Sequence, residues 1–342
     1  MADPSPFRRA LYSPDELLGL FTADDLHSYA RTLDFRLFQN YVRNGRVRVS
    51  SYSESVAETL HDNSISRCLV NYLKNRPVAA IMGGHQLSRL DPTYAQVASM
   101  AYQLAGKGFL VASGGGPGAM EASHVGAYFA GQPRLKLDEA VAELGAVPRL
   151  PKKLDELVAD DGAVNWPLIE ELHAWQLPAF TICRRAPGAD SLAVPTWNYG
   201  HEPPSPFGTK IAKYYQNSIR EEGLLALASH GIIYVAGSAG TLQEVFQDNT
   251  QNFYSGASSS IRHFRPMVFF GRKFWLHEVP AVRLLRAFYH SVGAVETFKQ
   301  HVLVTDSPER AVRFIAAYRP GESGERVVNL KTGATKGHRL AR

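Results

Sequence analysis

From Arg76 onward, short apolar runs alternate with longer amphipathic ones, and this alternation restricts the chain to few folds. Strand-like runs occur at 78-VAAIMGG-84, 109-FLVASGGG-116, 178-PAFTICRR-185, 231-GIIYVAGS-238, 266-PMVFFGR-272 and 301-HVLVTD-306. Helical periodicity fills the intervals, over 94–108, from Ala119 to about Phe129, over 208–231, from about Gly240, over 276–293 and from Pro308 to Tyr318. Strands that are apolar at every position are buried on both faces, as in a parallel sheet covered by helices on either side. The expected fold class is therefore α/β, a Rossmann-like doubly wound, mainly parallel sheet.

Three segments fall outside the rhythm. Residues 1–75 read as a mostly helical N-terminal extension on a core of 76–318, and 131–177 reads as a helical insertion broken by Pro148 and Pro151. The stretch 319–342 is rich in Gly, Lys and Arg without apolar periodicity, so a flexible basic tail is expected there. A formal net charge of +5 owes much to that tail, and no basic face with interleaved aromatics is visible in the core, which argues against a nucleic-acid partner. Cys68 and Cys183 are far apart in apolar surroundings, so neither a disulfide framework nor a metal site is expected. With no apolar run of membrane length and no signal-like N-terminus, the expectation is a cytoplasmic protein with no membrane partner.

Two strand-to-helix junctions are loaded with small residues, 113-SGGGPGAME-121 and 236-AGSAGTLQE-244. In a parallel sheet both lie at the carboxyl ends of strands, where α/β proteins bind ligands. Glycine lets backbone amides approach an oxyanion closely, and the following helix start offers unpaired N–H groups. Gly237, Ser238, Ala239, Gly240 and Thr241 thus read as a monophosphate cradle, against the plainer reading of a tight turn with no ligand. Glu244 follows in the first turns of the helix, where an acid is favoured by the helix dipole whether or not it has a function. Arg220 can return to the same sheet edge, or be an ordinary surface cation beside Glu221 and Glu222.

Other phosphate chemistries fit poorly. Neither turn carries the Lys-Ser/Thr pair of a P-loop, and the glycines at 114–118 lack an acidic ribose partner at dinucleotide-binding spacing. His85, His124, His201 and His230 are scattered and read as structural or surface residues. No metal or other cofactor is expected.

The two glycine motifs and the arginine together resemble the "Lonely guy" phosphoribohydrolase family, often mislabelled lysine decarboxylases, and specifically its larger bacterial relatives, the nucleotide 5'-monophosphate nucleosidases. The family's GGG-x-x-G-x-M pattern is matched by Gly114, Gly115, Gly116, Gly118 and Met120. Its P-G-G-x-G-T-x-x-E pattern is matched by Gly237, Gly240, Thr241 and Glu244, with Ala236 in place of the proline and Ser238 in place of the second glycine. Arg220 takes the place of the family's catalytic arginine with one extra residue of spacing, and 82-MGGHQLSRLDPTY-94 is similar to its first strand and loop. The resemblance covers roughly 76–318. It implies hydrolysis of the N-glycosidic bond of nucleoside 5'-monophosphates, with cytokinin riboside 5'-monophosphate among the candidate substrates, to free base and ribose 5-phosphate, with Glu244 and Arg220 catalytic. It also implies nucleotide binding by Gly83, Gly84, Ser113, Gly114, Gly115, Gly116, Gly118, Met120 and Glu121. A homodimer or larger homo-oligomer is implied too, with 208–231, bearing Tyr214, Tyr215, Ile219 and Leu224, as a contact surface. The alternative is a non-catalytic nucleotide- or cofactor-binding protein of the same superfamily. Lysine decarboxylation is excluded on chemical grounds: no lysine stands in either glycine turn to form a Schiff base, and Lys107, Lys210 and Lys213 are expected in helices.

Overall fold

A computed structural model of the chain describes residues 5–46, 51–197, 202–258 and 264–320. The N-terminal extension carries α1 (Pro14–Leu18), α2 (Leu33–Arg43) and α3 (Tyr52–Leu73). The core opens with β1 (Val78–Met82), α4 (Pro92–Gly106), β2 (Leu110–Ser113), α5 (Ala119–Tyr128), α6 (Arg134–Leu144) and α7 (Trp166–Arg185). It continues through β3 (Ser191–Ala193), β4 (Lys210–Ile211), α8 (Asn217–Leu227), β5 (Ile232–Tyr234) and α9 (Ala239–Ser258). It closes with β6 (Met267–Phe270), α10 (Ala281–Ser291), α11 (Val295–His301), β7 (Val302–Thr305) and α12 (Pro308–Ala317).

The seven strands form one sheet in the order β4-β3-β2-β1-β5-β6-β7, and every neighbouring pair is parallel. The Rossmann-like, doubly wound α/β fold is thus present. In β1, Val78, Ala80 and Met82 face one core while Ala79 and Ile81 face another. β5 divides likewise, with Ile232 and Tyr234 on one side and Ile233 on the other. A period of two with both faces dry is why these runs are uninterruptedly apolar. From β1 the chain winds outward to β4, then returns to β5 on β1's other side. The strand order reverses between β1 and β5, and a crevice opens at their carboxyl ends.

Several sequence expectations need correction. The run 178–185 is no strand: it is the last part of α7, which continues through Pro178. Its buried residues Leu168, Leu172, Trp175, Ala179 and Ile182 keep helical spacing across the proline, and this packing overrides the local breaker. The helical insertion accordingly extends to Arg185 rather than stopping at 177. The strands that take the place of 178–185 are β3 and β4, of three and two residues, too short to leave a periodic signal.

The segment 208–231 is not one helix but β4, a connecting stretch and α8. Lys210 therefore lies in a strand, and Lys213 is buried in the connection against Asp34 and the ring of Trp197. Tyr214 and Leu224 are buried in the core, so they do not form the expected contact surface; Ile219 is exposed. The expected helix over 276–293 starts late, because a π-turn at Phe274–Glu278 and Pro280 precede α10.

The N-terminal extension is tied to the sheet. Tyr12 and Ile211 exchange backbone hydrogen bonds of 2.9 Å in each direction, an antiparallel bridge that covers the edge strand β4. From α3, buried Asp62 accepts the backbone N–H groups of Tyr215 at 2.9 Å and Gln216 at 2.8 Å, fixing the approach to α8. The expected tail falls, from residue 321, outside the described residues.

Candidate functional site

Gly84, at the end of β1, joins three turns. Its N–H donates to the Ala236 carbonyl at 3.1 Å, and its own carbonyl accepts from the Ala119 N–H at 3.1 Å. A Cβ on Gly84 would stand 3.3 Å from the Gly237 Cα, so two backbones meet there without side chains between them. Gly118 has φ +69°, and a Cβ on it would fall 2.4 Å from the Gly84 carbonyl oxygen, so glycine is required on both counts.

A cleft of ≈ 380 Å³ opens over this junction. Ser238, Gly240 and Thr241 line one part of it, from the start of α9. Gly83, Gly84 and His85 bring in the end of β1, Met120 the start of α5, and Asn217, Arg220 and Glu221 the first turn of α8. Ser238, Ala239 and Gly240 are exposed, and the first turn of α9 presents its N–H groups at the cleft. Gly237 is packed against Thr241, whose Oγ1 would lie 2.1 Å from an added Cβ.

Glu244 and Arg220 come together in this cleft. Arg220 is 8% exposed, which excludes the surface-cation reading, and its Nε donates to the Val194 carbonyl at 2.7 Å. That bond leaves the outer nitrogens for the cleft, with Nη1 3.8 Å from Glu244 Oε1. Burial pushes the Glu244 carboxyl up to about 7; Arg220 opposes the shift, and Glu221 and Glu202 add to it. Its proton affinity is thus set where a group can serve as a base near neutrality.

The first glycine motif acts mainly from beneath. A Cβ on Gly114 would lie 2.7 Å from Arg220 Nη2 and 2.5 Å from Met120 Sδ, so the missing side chain makes room for both. Gly115, with φ +85°, packs on Ala193 and accepts at its carbonyl from the Ser205 N–H at 2.9 Å. Gly116 lies under Met120 and Glu202, whose Cε and Cβ would be 3.0 Å and 3.3 Å from its missing Cβ.

Of the expected nucleotide contacts, Gly83, Gly84 and Met120 line the cleft; Ser113, Gly114, Gly115, Gly116, Gly118 and Glu121 do not. Ser113 is buried and donates to the Ile81 carbonyl at 2.7 Å. Glu121 is buried in a two-pronged pair with Arg89, at 2.8 Å and 2.6 Å, and accepts from the Tyr94 hydroxyl at 2.9 Å. These are positioning residues, and the correction follows from α5 starting directly behind the turn and turning Glu121 into the core.

Six lining residues were absent from the expected site: His85, Thr196, Glu202, Asn217, Glu221 and Gln243. His85, read as structural or surface, has Nδ1 3.8 Å from Glu202 Oε1. Glu221 accepts from Asn217 Nδ2 and from Gln243 Nε2, each at 2.7 Å, so Gln243 faces the cleft as Glu244 does. Glu221 was visible as the acid next to Arg220. Glu202 sits in a proline-rich connection with no periodicity, and nothing in the sequence marks it. His124 is buried, held by Ser191 at 3.0 Å, and burial lowers its pKa to about 3, so it is a neutral core residue. Among the described residues no group of three His, Cys, Asp or Glu side chains could hold a metal ion, and no helix is long and apolar enough to cross a membrane.

Comparison with family models and with curated proteins finds no match. Among solved structures the chain is similar to the molybdenum cofactor binding protein from the phototrophic bacterium Rippkaea orientalis, with a TM-score of 0.38 and 13% identity over 71% of this chain and 97% of that one.

Proposed function

We propose that the chain hydrolyses the N-glycosidic bond of nucleoside 5'-monophosphates, giving a free base and ribose 5-phosphate. The observation that carries this reading is the Arg220–Glu244 pair, 3.8 Å apart in the cleft where the strand order reverses, directly behind an exposed turn rich in unpaired N–H groups. The phosphate sits on the N–H groups of Ser238 to Thr241, with the hydroxyls of Ser238 and Thr241 as further donors. Ser238 in place of a glycine therefore adds a donor to the cradle. Binding energy from the phosphate holds the anomeric carbon over the carboxylate.

The bond from C1' to the base nitrogen breaks with its electron pair leaving on the base, and positive charge develops over C1' and the ring oxygen. An ionised Glu244 stabilises that charge, with Glu202 and Glu221 adding to the negative field. Water then bonds to C1' and gives a proton to Glu244. The departing base takes a proton from solvent and Glu244 gives up the proton it received, so one water is consumed overall and the carboxylate is restored. Arg220 holds Glu244 in its ionised, oriented form and offers its outer nitrogens to the nucleotide.

Purified protein incubated with a panel of nucleoside 5'-monophosphates and the matching nucleosides, with released base read by chromatography, tests the proposal. Base released from monophosphates alone, and lost in Glu244→Ala and Arg220→Ala, is the expected result. Binding of monophosphates without release from any of them would overturn it in favour of a non-catalytic nucleotide-binding protein.

A further inference from the structure

A second groove, of ≈ 780 Å³, adjoins the cleft and shares His85 with it. One wall is the segment after β1, with Gln86, Leu87 and Ser88; the other is the loop after α6, with Arg149, Leu150 and Lys152. The two walls are fixed to each other. Ser88 Oγ and the Arg89 N–H donate to the Pro148 carbonyl at 3.3 Å and 3.0 Å, and Arg89 Nη1 donates to the Val147 carbonyl at 3.2 Å. Arg89 also pairs with Glu121, next to Met120 of the cleft, so one buried ion pair sets both cavities.

The charges in the groove are unevenly satisfied. Lys153 pairs with Glu156 at 3.0 Å, and Asp91 is occupied as the cap of α4, accepting from the Thr93 N–H at 2.8 Å. Among the described residues Arg149 and Lys152 have no ion-pair or hydrogen-bond partner for their side chains. Asp155 is the remaining acid in the lining. The groove thus offers two uncommitted cations over an apolar floor of Leu87, Leu150 and Leu154, and meets the cleft at His85.

We propose that this groove takes an acidic substituent on the leaving base, so that the preferred substrates are nucleoside 5'-monophosphates whose base carries a carboxylate-bearing arm. The proposal rests on the hydrolase reading of the cleft. The phosphate and ribose occupy the cleft, the base passes His85, and the arm lies between Leu150 and Leu87 with its carboxylates on Arg149 and Lys152. Charge-assisted hydrogen bonds to two cations discriminate against an arm of equal size without charge.

The test compares AMP, N6-(1,2-dicarboxyethyl)-AMP and an N6-alkyl AMP of similar bulk, on the native protein and on the double variant Arg149→Ala/Lys152→Ala. Both substitutions are at exposed positions, so the fold is expected to stand. The expected result is a KM for the dicarboxyethyl nucleotide about tenfold below that for AMP, lost in the double variant while AMP kinetics stay unchanged. A native protein that favours AMP or the alkyl nucleotide, or a variant that slows AMP equally, overturns the groove assignment and leaves the hydrolase reading standing. If AMP and its derivatives are all uncleaved, calorimetry decides. Tighter binding of the dicarboxyethyl nucleotide than of AMP, abolished in the double variant, supports the groove without hydrolysis; equal binding overturns it.

Discussion

Arg220 Nη1 lies 3.8 Å from Glu244 Oε1, close enough for an ion pair and too far for a direct hydrogen bond. The arginine is anchored elsewhere, through its Nε to the Val194 carbonyl. The carboxylate therefore feels the cation without being consumed by it, and a water or a hydroxyl can bridge the gap.

Because burial raises Glu244 to about 7, the ionised form that the proposed hydrolysis requires grows in as pH rises through neutrality. Base release is expected to climb through an apparent pKa near 7 on the acid limb. The same shift acts on stability with the opposite sign. A carboxyl that binds its proton more tightly folded than unfolded makes the protein less stable as pH rises from about 4.5 to about 7. Glu244→Gln should therefore be inactive and, above neutral pH, more stable than the native protein by on the order of 3 kcal/mol, with the gain absent near pH 4. Denaturant melts at both pH values check this, and an equal stability difference at the two would sink it.

Gly114 separates activity from folding. An added methyl would fall 2.7 Å from Arg220 Nη2 and 2.5 Å from Met120 Sδ, the outer ends of two side chains able to swing aside. Gly114→Ala is expected to lower kcat/KM about a hundredfold by displacing the arginine, while Tm moves little. Gly106→Ala, with nothing within 4 Å of the added methyl, serves as the control and should leave kinetics unchanged.

The sequence carries the sheet wherever a strand, whatever its length, lies inside an unbroken apolar run, as in β1, β2, β5 and β6. It fails at β3 and β4, whose few residues are held by neighbours rather than by local pattern, and at Pro178, where packing of α7 outweighs a helix breaker. At the cleft, Glu244 and the α9 turn stand together as their short spacing in the sequence requires, and Arg220 reaches the same cleft from α8. Ser113 and Glu121 share that kind of spacing yet serve the core, since a motif records which residues must be present and not which way they face. Glu202 and His85 come together only through tertiary contacts far apart in sequence, and so were hidden.

Asp62 links the N-terminal extension to α8, the helix that carries Arg220. Its oxygens accept the N–H groups of Tyr215 and Gln216 immediately before α8, and it lies 3.1 Å from His61 Nδ1. Asp62→Ala leaves these part-buried donors without their acceptor, and a loss of about 1–2 kcal/mol is expected. The start of α8 should loosen with it, lowering kcat through Arg220 even well below the melting temperature. Hydrogen exchange at the amides of 215 and 216 reports the loosening directly; protection as in the native protein would contradict the role assigned to Asp62.

The Arg89–Glu121 pair gives a prediction that depends on which partner is removed. Both side chains are 1% exposed, and Arg89 lies over the Trp175 ring at 4.0 Å while donating to the Trp175 carbonyl at 2.8 Å. Glu121→Ala strands a guanidinium in the core and is expected to cost about 3–5 kcal/mol. The double variant Arg89→Met/Glu121→Leu removes both charges and keeps the volume filled, so most of that loss should be recovered. Recovery of stability need not restore geometry, because the carbonyls of Val147 and Trp175 then lack their donor, and the loop bearing Arg149 and Lys152 keeps only the bonds from Ser88 Oγ and the residue-89 N–H to the Pro148 carbonyl. The double variant should melt between Glu121→Ala and the native protein, because the Val147 and Trp175 carbonyls and the Tyr94 hydroxyl lose their partners, and it should bind acidic-armed nucleotides less tightly. Equal destabilisation of the single and double variants would mean that the pair's stability contribution is not electrostatic.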